Sequence, residues 1–300
     1  MKNNVKIRVE KSDKTSHNQR YHISEEGKSN FVEDKSLVNP ILESFQKRKL
    51  EFPTVFGVPR SGSTLVRNIL NTIFDGNIAV QQHGTMKVRD RDMIVATYRD
   101  FRDCAVSKWR MNNAGFDREK DRIIGRWDGG SAIVPKHMES IVTGKEKSVG
   151  IGTSAGAIRT RVKHLDRLDG AHGNHDLGFP PPGYRDKNHM KVNKNIYFAR
   201  YEQFNDNFEL LFNHFEEFFQ IVIVKDLREF IQNTWNKDRV KRVYSDSLGA
   251  FEGYDRETEI HGQHIYKGKT GTWKEILHED DHNKMTNLFK ENLSHWGYIN

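Results

Sequence analysis

The sequence predicts a three-layer α/β fold, with helices on both faces of a mostly parallel central sheet. Three short apolar runs, at 55–58, 93–98 and 195–201, have the length and residue types of buried strands. Each run is followed by a segment with apolar residues at helical spacing. Because strands that alternate with helices form parallel sheets, we expect ligands to bind at the carboxyl ends of these strands.

Residues 1–50 are polar and rich in charge, and we interpret them as an N-terminal extension to a single domain at 51–300. Alternating apolar residues over 5–9 favour a short edge strand. A proline at the first helical position favours a short helix over about 39–49. Residues 112–194, rich in Gly, His, Arg and Lys, give no clear pattern of strands and helices.

The remaining elements follow from helical spacing and capping residues. The helix after the first strand has an apolar face made of Leu65, Val66, Ile69, Leu70, Ile73 and Phe74. A short strand is expected over 77–82. After the second run, Asp100 and Asp103 suit the start of a helix. After the third run, Asn205 is the expected cap of a helix with an apolar face of Phe208, Leu211, Phe212, Phe215 and Phe219.

The composition favours anionic partners. Lysine and arginine number 48 against 41 aspartates and glutamates, a net charge of +7, which attracts nucleotides, acidic glycans, nucleic acid and membranes without choosing among them. The single cysteine, Cys104, excludes an intrachain disulfide and favours a reducing compartment. Because we find neither an apolar signal region nor an apolar run long enough for a membrane span, we expect a cytoplasmic protein.

The segment GVPRSGST, 57–64, nearly matches the phosphate-binding P-loop, which reads G-x-x-x-x-G-K-[ST]. It lies between a predicted strand and a predicted helix, which is the P-loop context, but Ser63 replaces the lysine and the nearby cation is Arg60. Backbone N–H groups at a helix N-terminus still bind an anion. The loop therefore suits one compact anionic group at the 5′ end of a nucleotide, and its candidate ligands are Arg60, Ser61, Gly62, Ser63 and Thr64.

Two further segments could complete an anion site. Arg99 leaves the second strand, and Ser107 follows within two helical turns, so the two side chains can converge on one phosphate. The alternative is a surface arginine that pairs with Asp100 or Asp103. Near the C-terminus, the glycine-containing basic segment HIYKGKTGTWKEIL, 264–277, could close over an anionic ligand and exclude water.

Together, these segments resemble the sulfotransferases that use 3′-phosphoadenosine 5′-phosphosulfate (PAPS) and release 3′-phosphoadenosine 5′-phosphate (PAP). The loop PRSGST resembles the family's 5′-phosphosulfate loop, and YRDFRDCAVS resembles the 3′-phosphate motif, with Arg99 and Ser107 as its ligands. YKGKTGTWK resembles the C-terminal loop that clamps the 3′-phosphate and closes the site, which gives that role to Lys267 and Gly268. RYEQF resembles the segment that places a tyrosine, here Tyr201, near the adenine. The resemblance implies a P-loop-like scaffold.

The sequence departs from the family pattern at three places. Tyr266 replaces the arginine of the C-terminal loop, and Leu65 stands where cytosolic members often have a tryptophan that stacks on adenine. The K-x-H catalytic segment corresponds to Gln81-Gln82-His83, without its lysine. The resemblance therefore implies His83 as the general base, although a carboxylate serves that role in tyrosylprotein members.

The implied reaction is sulfuryl transfer from PAPS to a hydroxyl or amine acceptor by in-line displacement, without a metal. Arg60 would neutralise charge on the bridging oxygen as the sulfuryl group leaves. The acceptor would be a small molecule, a glycan or a peptide. Basic residues over 151–195 suit an anionic acceptor, or else they merely attract the anionic donor. We expect neither nucleic acid nor a membrane as a partner.

Three other functions fit the sequence less well. A P-loop nucleotide kinase is the main alternative, but it needs the loop lysine and a Mg²⁺ carboxylate, and Asp100 follows Arg99, which disfavours a metal there. A nucleic-acid-binding protein would explain the net charge, but the basic residues are dispersed. The segment 278–282 matches the zinc motif H-E-x-x-H. Its acidic residues, however, suit the start of a last helix that carries Met285, Leu288 and Phe289.

Overall fold

The computed structural model describes residues 32, 34–47, 53–76, 79–83, 93–112, 124–126, 141–143, 146–171, 192–193, 196–245, 258–260 and 268–299. The edge strand predicted over 5–9 and the residues Tyr266 and Lys267 lie outside this set. Within it, no helix is both long enough and apolar enough to cross a membrane.

A helix follows each of the three predicted strands. The strands are β1 (Thr54–Gly57), β2 (Val80–Gln82), β3 (Ile94–Tyr98), β4 (Ile124–Arg126), β5 (Ile141–Thr143), β6 (Glu146–Gly150), β7 (Val192–Asn193) and β8 (Ile196–Arg200). The helices are α1 (Asn39–Lys47), α2 (Ser63–Ile73), α3 (Phe101–Asn112), α4 (Gly152–Ala171), α5 (Tyr201–Phe204), α6 (Glu209–Phe219), α7 (Lys225–Trp235), α8 (Lys237–Ser245), α9 (Trp273–Ile276) and α10 (Glu279–His295). A 3₁₀ turn at Lys35–Leu37 precedes α1.

The central sheet has the strand order β2-β1-β3-β8-β7. The first four strands in this order are parallel, and β7 pairs with β8 antiparallel at one edge. A second, three-stranded sheet has the order β4-β6-β5. The predicted α/β class with a mostly parallel sheet is therefore confirmed.

Apolar residues on the two faces of the sheet enter two different cores, as a three-layer fold requires. In β3, Val95 packs into the core that α2, α6 and α7 cover, whereas Ile94 and Ala96 pack into the core that α3, α4 and α10 cover. This alternation follows from the two-residue period of a strand. Val38 and Ile41, at the end of the predicted extension, belong to the first core.

Two boundaries differ from the predictions. Asn205 does not cap the helix over 209–219, because α6 begins after Phe208 and Asn205 instead ends the short helix α5. The strand expected over 77–82 begins only at Val80. Short polar residues favour helix ends of either kind, so composition alone did not locate the cap.

Candidate active site

Residues from four parallel strands meet at one edge of the sheet. Arg60 follows β1, His83 follows β2, Arg99 follows β3 and Tyr201 follows β8. The four strands pair in register up to their last residues, so these side chains begin at the same edge. This is the edge at which ligands bind in parallel α/β sheets.

The loop after β1 is shaped by two glycines that no other residue could replace without rearrangement. A Cβ on Gly57 would lie 2.4 Å from Ser63 Cβ and 2.7 Å from Thr97 Oγ1. Gly62 has φ +87°, and a Cβ there would lie 2.7 Å from the ring of Tyr201. The loop thus folds back tightly onto the strand, as phosphate-binding loops do.

Arg60 has a conformation that a non-glycine residue seldom adopts. Its φ is +75°, which costs about 1–2 kcal/mol for an L-residue. Its Nε donates a hydrogen bond to Ser107 Oγ at 3.0 Å. Burial and the neighbouring Arg99 lower the pKa of Arg60 to about 10, so it remains a cation at neutral pH. Such strain at a cationic loop residue is typical of a functional position.

The N-terminus of α2 faces this loop. The first α-helical hydrogen bond at this end joins Val66 N–H to Gly62 O at 3.0 Å. The N–H groups of Ser63, Thr64 and Leu65 therefore precede the helical ladder, and they carry the positive end of the helix dipole. Together with Arg60, they form a cradle of the kind that binds phosphate or sulfate.

Arg99 is a second buried cation at the same edge. It is 6% exposed, its guanidinium lies 4.7 Å from the centre of the Tyr201 ring, and its Nη2 donates to Lys269 O at 2.5 Å. Asp103 lies 3.5 Å from Nη2. Burial opposes the charge on Arg99, yet the attraction of Asp103 holds its pKa above the ordinary value. In the part of the chain that the structure describes, Arg99 Nε has no hydrogen-bond acceptor.

Asp103 fastens the C-terminal loop to α3. Its carboxylate, which is fully buried, accepts hydrogen bonds from Gly271 N–H at 2.7 Å, Thr272 Oγ1 at 3.1 Å and Trp273 N–H at 2.9 Å. The phenol of Tyr201 donates to Gly268 O at 3.4 Å. The segment 268–273 is thereby held beside Arg99, which is where a loop that closes over an anion has to lie.

His83 is held in one orientation by a chain of hydrogen bonds. Its Nδ1 lies 2.7 Å from Gly57 O, an atom that can only accept, so Nδ1 carries the proton and Nε2 is the basic nitrogen. Nε2 accepts from the amide of Gln81 at 3.0 Å, and the same amide donates to Ser63 Oγ at 2.8 Å. Thr64 Oγ1 donates to Gln81 Oε1 at 3.3 Å. The histidine is thus tied to the loop through Gln81.

The sequence predicted most of these positions. The structure brings together Arg60, Ser61, Gly62, Ser63, Thr64, His83, Arg99, Tyr201 and Gly268 at one edge of the sheet. It gives Ser107 a bond with Arg60, and its convergence with Arg99 on one phosphate stays a prediction. The alternative of a surface position for Arg99 is wrong, because the residue is buried, although it does pair with Asp103.

Sequence reasoning missed the roles of Gln81 and Asp103. Gln81 lies two residues before His83, and this spacing places both side chains on one face of a strand. Asp103 follows Arg99 by four residues, a spacing at which a helical carboxylate can pair with an arginine. Both spacings are visible in the sequence. The sequence does not show that Gln81 bonds to the loop at 57–64 or that Asp103 bonds to the segment 268–273.

The H-E-x-x-H segment has other contacts. His278 caps α10 by accepting from Asp280 N–H, and His282 Nε2 lies 2.9 Å from Leu277 O, with its ring 4.9 Å from that of Trp273. Among the described residues, no group of three or more His, Cys, Asp or Glu side chains could hold a metal ion.

Comparison with known proteins gives fold similarity alone. No family model matches the chain, and no curated protein does. Among solved structures, it is similar to mouse sulfotransferase SULT7A1 complexed with PAP, at 14% identity and a TM-score of 0.47 over 86% of this chain and 91% of that one. It is also similar to retinol dehydratase in complex with androsterone and inactive cofactor PAP, at 13% identity and a TM-score of 0.47 over 85% of each chain.

Proposed function

We propose that this protein is a sulfotransferase that moves the sulfuryl group of PAPS to a hydroxyl or amine acceptor by in-line displacement. One observation carries the proposal: Arg60 and Arg99 lie at the ends of two adjacent parallel strands, beside the N-terminus of α2. The loop that contains Arg60 has no P-loop lysine. Two cationic centres suit a donor that carries one anionic group at its 5′ end and another at its 3′ position.

The residues present fit PAPS. The backbone of 60–64 and the Arg60 guanidinium would hold the 5′-phosphosulfate. Arg99, whose Nε lacks a hydrogen-bond acceptor among the described residues, would hold the 3′-phosphate. Ser107, Lys267 and Gly268 would assist, as the sequence resemblance implies, and Tyr201 would lie near the adenine.

The chemistry that PAPS supplies when bound is an activated sulfuryl group on a phosphate leaving group. Arg60 would donate hydrogen bonds toward the bridging oxygen, where negative charge develops. The hydrogen bond from Arg60 Nε to Ser107 orients the guanidinium before substrate arrives, so little reorganisation is required during the reaction. Arg99 would fix the position of the donor and so improve alignment with the acceptor.

His83 is the general base of the proposal. Burial, followed by the charges of Arg161, Lys108 and Arg60, lowers its pKa below the ordinary value, so the ring is neutral at pH 7. Nε2 is then free of a proton and can take one from the attacking hydroxyl, once that hydroxyl replaces the Gln81 amide as its hydrogen-bond donor. The proton would later pass from His83 to solvent.

The contacts disfavour the kinase alternative. Ser63, at the lysine position, accepts a hydrogen bond from Gln81 and has no charge to bring to a triphosphate. Both carboxylate oxygens of Asp100 accept from Arg102, at 3.0 and 2.7 Å. A carboxylate neutralised in this way is a poor Mg²⁺ ligand.

Calorimetric titration tests the proposal. We expect PAP to bind without metal and about 10- to 100-fold more tightly than adenosine 5′-monophosphate, which lacks the 3′-phosphate. Radiolabelled PAPS with a panel of phenols, alcohols, sugars and tyrosine peptides would then identify an acceptor. For variants that remove an arginine from the site, Arg159→Gln, at an exposed position, is the control for a general loss of positive charge. Tighter binding of ATP with Mg²⁺ than of PAP would refute the proposal in favour of a kinase.

A further inference from the structure

Two more cations lie on the His83 side of the site. Lys108 follows Ser107 on α3, and Ser107 is bonded to Arg60, so this turn of α3 lies against the loop. Arg161 is on α4, which packs along α3. Both side chains are partly buried. We call Arg60, Lys108 and Arg161 the basic cluster.

The members of the basic cluster are close enough to act on one another and on His83. Burial lowers the pKa of Lys108, and the charges of Arg60 and Arg161 lower it further. The same three cations oppose protonation of His83. Within the described residues, neither Lys108 nor Arg161 forms an ion pair with a carboxylate. Because Lys108 and Arg161 are partly buried like charges, they repel one another, and an anionic ligand between them would stabilise this arrangement.

We propose that the basic cluster binds the acceptor, and that the acceptor carries a carboxylate or sulfate group close to the hydroxyl that is modified. This inference rests on the proposed function. It assigns Lys108 and Arg161 as specificity residues, with Arg60 shared between the donor and the acceptor.

Position distinguishes the acceptor from the donor as the ligand of this cluster. The donor's two anionic groups already have the loop at 60–64 and Arg99. The acceptor hydroxyl has to reach His83 Nε2, and Lys108 and Arg161 are the cations that act on His83 together with Arg60. An anion beside that hydroxyl would therefore meet the cluster.

The test uses acceptor pairs that differ in charge but little in shape. We would compare 4-hydroxyphenylacetate with 4-hydroxyphenylacetamide, and methyl glucuronide with methyl glucoside, in sulfate transfer from radiolabelled PAPS. Binding of inorganic sulfate to the PAP-saturated protein provides a readout that needs no turnover. We expect the anionic member of a pair to have a kcat/KM about 10- to 100-fold higher than its neutral partner.

Variants identify the residues responsible. Lys108→Met and Arg161→Gln should each weaken sulfate binding and reduce kcat/KM for the anionic acceptor about tenfold, with PAP affinity unchanged. Arg159→Gln, exposed on the same helix, should change neither quantity. The inference is overturned if either variant lowers PAP affinity as much as it lowers kcat/KM for the anionic acceptor. It is also overturned if the variants change kcat/KM equally for neutral and anionic acceptors, or if they change neither kcat/KM nor sulfate binding. A wild-type protein that does not bind PAP refutes the proposed function itself.

Discussion

Arg99 and Arg102 lie three residues apart, but their guanidinium groups differ in how completely they are hydrogen-bonded within the protein. Arg102 donates to both oxygens of Asp100 at 3.0 and 2.7 Å, reaches Thr286 Oγ1 at 3.3 Å, and lies 4.3 Å from the centre of the Trp273 ring. Arg99 has a carboxylate at 3.5 Å, a backbone carbonyl on Nη2, and an Nε without an acceptor among the described residues. All three side-chain nitrogens of Arg102 donate hydrogen bonds to protein groups, whereas Arg99 Nε remains available as a donor to a ligand.

The same contrast separates two regions of the molecule. On the side of α10, charged groups are satisfied within the protein: Glu202 accepts from Tyr298 at 2.9 Å and from Arg200 at 3.3 Å. At the ends of β1 and β3, the charge of Arg99 helps to lower the pKa of Arg60, and Arg99 Nε has no hydrogen-bond acceptor among the described residues. Buried polar groups in proteins are normally paired, so incomplete pairing marks the second region as a ligand site.

The largest fall in turnover is expected when the general base, His83, is replaced. In His83→Asn, the shorter side chain retains a donor toward Gly57 O but has no basic nitrogen. We expect turnover to fall by about 10²–10⁴-fold, whereas PAP affinity measured by calorimetry should stay within error. Normal turnover would mean that another group is the base, and the donor site would be unaffected by that result.

The second-largest fall in turnover is expected when Arg60 is replaced. Arg60→Gly removes the guanidinium at a position where glycine tolerates the observed φ of +75°, so the loop should keep its shape. Turnover should fall by about 10²–10³-fold, as for loss of one donor to developing charge. Arg60→Lys restores a cation and should recover part of the rate. Equal rates for the Gly and Lys variants would contradict a role for the charge.

The comparison of the two arginines can be tested directly. Arg99→Gln should weaken PAP binding by about 10- to 100-fold and leave the binding of adenosine 5′-monophosphate unchanged, because only PAP has the 3′-phosphate. Arg102→Gln should leave both affinities unchanged but lower the free energy of unfolding by about 3 kcal/mol, since it strands a partly buried carboxylate. Urea denaturation measures the second quantity.

Either variant could contradict the contrast. If Arg102→Gln weakened PAP binding as much as Arg99→Gln did, the difference in pairing would have no functional meaning. If Arg99→Gln affected both nucleotides equally, Arg99 would bind a group common to both. Because Asp103 loses its partner in Arg99→Gln, affinities should be measured at a temperature at which the variant is fully folded.

Much of the fold could be predicted from the sequence because its signals are local. Apolar runs and helical spacing located β1, β3 and β8, and the near-P-loop located the strand–loop–helix turn. The contrast between Arg99 and Arg102 could not be predicted, since RDFRD contains both arginines and both aspartates within five residues. Which arginine pairs with which carboxylate depends on Lys269 and Trp273, about 170 residues away along the chain.

The smallest expected effect is on the pH dependence of turnover. His83 must be neutral to accept a proton, so kcat falls as the pH drops through its pKa, and burial with the nearby cations places that pKa below 6.5. Removing one cation in Arg161→Gln should raise the pKa, and the acid limb of the kcat profile should move to higher pH. Arg159→Gln should leave the limb in place. A limb that does not move in Arg161→Gln would belong to a group other than His83, or would place Arg161 too far from the ring to act on it.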